Sequence, residues 1–123
     1  MKLSQAEEQI MEIIWKQRKV FMKDLLEAVP EPKPAATTIA TLLKRMQDKG
    51  FVGYETFGNS RQYHSLVKKS DYFSKQMKGM IKNFFDNSAL QFASFFTSSG
   101  NMTTAELEDL KKIIDAELKK KKK

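Results

Sequence analysis

Pro30, Pro32 and Pro34 fall within one short stretch, and no helix or central strand runs through them, because each ring removes a backbone donor and constrains the residue before it. The chain therefore has a loop over Glu31 to Lys33 with separate elements on either side. Upstream, Ser4 with Glu7 three residues on forms a capping box. Ala6, Ile10, Ile13, Ile14 and Arg18 follow at helical spacing, with the apolar members on one face. A shorter helix is expected over about Met22 to Ala28, with Leu25, Leu26 and Val29 turned inward. Downstream, a third helix is expected from about Ala35 to Lys49, with Gly50 placed to cap it. Its Ile39, Leu42, Leu43 and Met46 stand at i, i+3, i+4 and i+7, the stripe of a helix packed on a core by one side.

Phe51 to Phe57 and Arg61 to Val67 are rich in aromatic and β-branched residues, and Gly58-Asn59-Ser60 between them reads as a turn, which makes a β-hairpin. Three helices, a short second leading into a longer third, followed by a hairpin is the order of a winged helix-turn-helix. That pattern ends near Val67. From Ser70 helical periodicity returns, with Phe73, Met77, Met80, Ile81 and Phe84 on one face and Phe85, Leu90, Phe92, Phe95 and Phe96 adding apolar area. A last helix begins at Thr103, where Glu106 completes a second capping box, and carries Leu107, Leu110, Ile113, Ile114 and Leu118. The expected fold is mainly α with a small β-hairpin: a winged helix-turn-helix domain over residues 1–68, then a helical segment over 69–123.

Charge has to be read by position. The net charge is +7, but Lys119 to Lys123 supply five of the 22 basic residues, leaving 17 against 15 acidic and a net of +2. Global charge thus argues only weakly for a polyanionic partner, and the lysine tail reads as a solvated, frayed end. The chain has no cysteine and a single histidine, His64, so neither a disulfide framework nor a thiolate or histidine metal site is expected, and no cofactor. No run of about 18 apolar residues is present and the N-terminus turns polar at once, so the expectation is a cytoplasmic protein without direct membrane binding. No phosphate-cradling glycine loop, serine elbow or paired-carboxylate motif is found, and His64 has no carboxylate near it in sequence, so an enzyme is not expected.

The third helix carries the functional signal. Opposite its apolar stripe stand Thr37, Thr38, Thr41, Lys44 and Arg45. In a major groove, threonine meets base edges or thymine methyls, while Arg and Lys reach guanine or phosphate. The competing reading is a solvated face that happens to be basic; the tandem helices and hairpin favour DNA, because a winged helix turns this face outward. Asn59, Ser60 and Arg61 at the hairpin tip, and Lys23 near the start of the second helix, are candidate contacts to phosphates or the minor groove, each with an ordinary surface residue as its alternative. In the C-terminal segment, Phe73, Met77, Met80, Ile81 and Phe84, then Phe92 and Phe95, then Leu107, Leu110 and Ile114 make more apolar surface than so short a segment hides by itself. That points to pairing of two copies, against an ordinary intramolecular core.

The stretch Thr38-Ile39-Ala40-Thr41-Leu42-Leu43-Lys44-Arg45-Met46, continuing through Asp48-Lys49-Gly50-Phe51-Val52 and later Tyr63, resembles the signature of the penicillinase and methicillin-resistance repressors, which the copper-responsive repressors of Gram-positive bacteria share. The opening Leu3 to Trp15 is similar to the family's first helix, so the resemblance covers about the first 67 residues, and the remainder agrees in length and helical pattern. It implies a homodimeric repressor on a dyad-symmetric operator, with Thr38, Thr41 and Arg45 matching residues of the recognition helix. Ala40 and Asn59 depart from the pattern at positions where relatives carry basic residues. It also implies release by a partner: in the β-lactam-responsive members a membrane-bound sensor protease triggers cleavage at an Asn-Phe bond, to which Gln91-Phe92 corresponds here. Copper sensing through thiolates is not expected, since the C-terminal cysteine pairs of those relatives are absent. Two rival readings stay open: a winged helix that docks an acidic protein, and a Lys-rich C-terminal helix lying on an anionic membrane surface.

Overall fold

A computed structural model describes residues 2–122, so Lys123 of the lysine tail lies outside the described residues. The elements in order are α1 (Gln5–Gln17), β1 (Lys19–Phe21), α2 (Met22–Ala28), α3 (Ala36–Asp48), β2 (Val52–Phe57), β3 (Ser60–Ser65), α4 (Lys69–Phe84), α5 (Ala89–Ser99) and α6 (Thr104–Lys121). The architecture is mainly helical with a small antiparallel sheet, consistent with a winged helix. The chain divides into two compact units, one ending at Gln76 and one starting at Met77. The break falls after the 68/69 division because Tyr72, in the first turn of α4, is buried with the core of the first unit.

In the first unit, α1 opens with the expected capping box: Glu7 N–H donates to Ser4 Oγ at 3.2 Å, and Ser4 N–H donates to Glu7 Oε1 at 2.7 Å. It stops at Arg18, whose φ of 73° is left-handed and turns the chain back on itself. The turn has a consequence that the sequence reading missed. Lys19–Phe21 forms a third strand, β1, pairing antiparallel with β3 in the register Lys19↔His64, Val20↔Tyr63 and Phe21↔Gln62, so the sheet order is β1-β3-β2 rather than a bare hairpin. Three residues are too few to display a period of two, and arginine does not announce a left-handed turn.

Asp24 accepts the Phe21 N–H at 2.8 Å and so opens α2. The prolines end α2 and hold the loop. Gly50, with φ 84°, lets Phe51 N–H reach back to the Met46 carbonyl at 2.9 Å as α3 gives way to β2. At the hairpin tip Phe57 pairs with Ser60, so the turn is Gly58-Asn59 alone and Ser60 opens β3. The core gathers Ile10, Met11 and Ile14 of α1, Val20, Leu25, the stripe Ile39, Leu43 and Met46 of α3, and Tyr63 and Tyr72. Removing one such aliphatic side chain from a core costs about 2–5 kcal/mol.

The second unit is built differently. Asp86 and Asn87, both with positive φ, reverse the chain, and Ser88 Oγ accepts the Gln91 N–H at 3.1 Å to start α5. Phe85 meets Phe92 edge to face at 5.6 Å and Phe95 at 5.7 Å, and Phe92 stacks on Phe96. Thr103 and Glu106 cap α6 as expected, and the helix continues to Lys121, where a frayed tail was expected. Ile81 is the sole buried hydrophobic of this unit among the described residues, whereas Phe84 is 79% and Leu90 81% exposed.

Candidate nucleic-acid interface

The stripe that seats α3 also decides what it presents. Ile39, Leu43 and Met46 are fully buried with Leu42 half-buried beside them, and at 3.6 residues per turn the opposite side of the helix must point away from the core. Thr37, Thr38, Ala40, Thr41, Lys44 and Arg45 are accordingly all exposed. Thr41 donates its hydroxyl to the Thr37 carbonyl at 3.0 Å. Lys44 Nζ lies 3.1 Å from Asp48 Oδ1 in a solvent-exposed pair, a geometry of little energetic weight. Arg45 makes no ion pair among the described residues. The face thus offers one unengaged guanidinium, one loosely tethered ammonium and three small hydroxyl side chains.

The hairpin tip and the start of α2 come together. Lys23, Asn59, Ser60 and Arg61 line one open groove of about 630 Å³, floored by Phe21, Met22, Leu26 and Tyr63. Sequence order alone does not show this; it follows from β1, which brings α2 beside β3. No residue of α3 lines that groove. Arg61 is steadied by a residue that the sequence reading passed over: its guanidinium carbon is 4.3 Å from the centre of the Tyr54 ring, a cation–π contact. The register carried the signal, since Arg61 faces Thr56 and Tyr54 is the diagonal neighbour two residues along the same side.

His64 is half-buried in β3 opposite Gly53, and a Cβ on that glycine would come within 3.1 Å of its Nε2, so the ring occupies space that glycine leaves. Among the described residues no group of three His, Cys, Asp or Glu side chains is placed to hold a metal ion. No helix of the described residues is long and apolar enough to cross a membrane.

The residues named for self-association fall into two sets. Phe73 belongs to the first unit and rests partly on Trp15 and Tyr72, at 5.9 and 5.4 Å between ring centres. Met77, Met80, Phe84, Phe95, Leu107 and Ile114 are exposed, Phe92 and Leu110 half-buried and Ile81 buried. Gln91, exposed, and Phe92 occupy the first turn of α5.

The sequence model of the penicillinase repressor family matches residues 3–116. The chain is 28% identical over 114 residues to the methicillin resistance regulatory protein MecI of Staphylococcus aureus (strain N315), covering 92% of this chain and 93% of that one. To the penicillinase repressor of Bacillus licheniformis it is 22% identical over 121 residues, covering 98% and 94%. A solved structure of a CopR repressor is 26% identical, with a TM-score of 0.47 over 55% of this chain and 100% of that chain.

Proposed function

This chain belongs to the penicillinase repressor family, and from that premise we propose that it is a transcriptional repressor that binds operator DNA as a homodimer. Thr37, Thr38, Thr41 and Arg45 on α3 enter the major groove and read base edges, while Lys44, Lys23 and the hairpin tip Asn59 to Arg61 hold phosphates or the adjacent minor groove. The observation that carries this reading is the division of α3: Ile39, Leu43 and Met46 are fully buried, Leu42 is half-buried against them, and every candidate contact on the helix is exposed.

The second unit pairs two copies. Its uncovered Phe84, Phe95, Leu107 and Ile114 supply the apolar surface, and a dyad-symmetric operator follows from two-fold pairing, with half-sites about 34 Å apart. Repression is by occlusion, and affinity depends on the dimer: separating the two grips lowers binding by ~10² or more. The chain works in the cytoplasm and performs no catalysis of its own.

Relief by proteolysis, triggered by a membrane-bound sensor, fits the same scheme. The Gln91-Phe92 bond lies just after the left-handed Asp86 and Asn87, in a first helical turn that must unwind to enter a protease cleft. Cutting there would separate α6 from the DNA-reading unit and remove avidity.

The test is a gel shift of the full chain on the DNA upstream of its own gene and on a scrambled duplex, at several salt concentrations. Preferential binding that falls steeply with salt supports the repressor. Equal binding to both duplexes, or none, supports a winged helix that docks a protein instead.

A further inference from the structure

Glu7 is 1% exposed, and a buried carboxylate is costly unless a cation or hydrogen-bond donors compensate it. That cation is Lys49, whose Nζ lies 2.7 Å from Glu7 Oε1 and 3.2 Å from the Lys2 carbonyl. Lys49 is the C-cap residue of α3, so the pair ties the end of the proposed reading helix to the first turn of α1. The contacts of Ile39, Leu43 and Met46 are apolar and non-directional. They set which side of α3 meets the core, and the ion pair adds one directional tie at the helix's C-terminal end that fixes its position more finely. Glu7 Oε1 also accepts the Ser4 N–H, while Oε2 has no partner among the described residues, so Lys49 is the one side-chain cation on this carboxylate.

The same turn is gripped from the other side. Leu3 N–H donates to Tyr72 Oη at 3.2 Å, and Tyr72 Oη donates to Glu8 Oε2 at 2.7 Å. Tyr72 stands near the start of α4, its ring edge-on to Phe51, which comes just after Lys49 and Gly50 at the end of α3. The segment Lys2 to Glu8 therefore bonds α3 through Glu7 and α4 through Leu3 and Glu8.

We propose that Glu7 and Tyr72 are positioning residues for the DNA-reading helix, linked through the Lys2 to Glu8 turn, so that the seating of α4 sets operator affinity within each subunit. The inference rests on α3 being the helix that reads DNA. Flexible phosphate contacts tolerate a small displacement of α3, whereas base-edge contacts do not. Loosening the turn therefore lowers specific binding first.

The experiment measures binding of the full chain and its variants by fluorescence anisotropy on the duplex upstream of its own gene and on a scrambled duplex, with thermal unfolding of the same samples. Glu7→Gln and Tyr72→Phe each weaken operator binding about five- to tenfold, while scrambled-duplex affinity and the salt slope stay as in the wild type. The double variant binds no more weakly than the weaker single variant, because both act through one turn. Lys49→Arg retains operator affinity and Lys49→Met loses it. Should Glu7→Gln fail to fold, the Glu7→Gln, Lys49→Met pair leaves no buried charge unpaired and is held to the same outcome. Wild-type affinity in both single variants, effects that multiply in the double, or parallel losses on both duplexes would overturn the inference alone. A wild-type chain that does not prefer its own upstream DNA would overturn the repressor reading, and the inference with it.

Discussion

Thr41 donates its hydroxyl to the backbone carbonyl of Thr37, one turn earlier in α3, at 3.0 Å. The hydroxyl has one hydrogen, and the helix already holds it, so what Thr41 offers a duplex is its methyl group and an acceptor lone pair. Thr41→Val keeps the methyl and is expected to bind operator within about threefold of wild type, whereas Thr41→Ala loses the contact to a thymine methyl and weakens binding by about five- to tenfold. Anisotropy titrations of the two variants check this.

The two cations of the same face are unequal. Lys44 is tethered to Asp48 and acts as a point charge, while Arg45 makes no ion pair among the described residues and has a planar fork suited to guanine. Arg45→Ala should lower operator affinity by about 1–3 kcal/mol and relax preference at one base pair of each half-site. Lys44→Ala should weaken all duplexes alike and reduce the salt slope by about one per subunit. A panel of single-base operator variants separates the two effects.

Arg61, over the ring of Tyr54, is held out at the hairpin tip before any DNA arrives. Arg61→Ala is expected to behave as a lost phosphate contact, with uniform weakening and a shallower salt slope. Tyr54→Leu, which keeps the charge but removes the ring beneath it, should weaken binding less, by about threefold, with the slope unchanged.

Much of this was legible in the sequence. The proline run, the two capping boxes and the i, i+3, i+4, i+7 stripe of α3 are local signals, and the helices and hairpin stand where those signals put them. What escaped notice depends on residues distant in sequence. β1 is three residues long and is defined by its partner β3, not by its own pattern. Glu7 announced itself as a capping residue, yet nothing nearby shows that Lys49 completes it. Tyr72 hid beside Phe73, one position off the stripe assigned to self-association, because its burying surface comes from Leu3, Trp15 and Phe51.

Stability should depend on pH through the same residues. Burial alone would raise the carboxyl of Glu7, but Lys49, together with the Ser4 backbone and hydroxyl, holds it below its usual value of 4.5. A lowered value means the ionised form is favoured in the fold, so this contribution is present above pH 4.5 and fades as pH falls through the folded-state value. Burial, and then the hydrogen bond to Glu8, raise the Tyr72 hydroxyl above its usual 10.0. Its contribution is present below pH 10 and fades as pH rises through the folded-state value. Chemical denaturation across pH should show a shallower acid limb for Glu7→Gln and a shallower alkaline limb for Tyr72→Phe.

Whether the exposed side of α3 lies in a major groove can be read by directed cleavage, because the chain contains no cysteine. Ala40→Cys places a unique thiol on that side, and an iron chelate attached there cleaves nearby DNA. Cuts are expected on the upstream duplex at two symmetric positions about 10 base pairs apart, or a multiple of that spacing, and none from the same chelate on Lys111→Cys in α6. Cutting spread evenly along the duplex, or no stronger from position 40 than from position 111, would contradict that placement of α3.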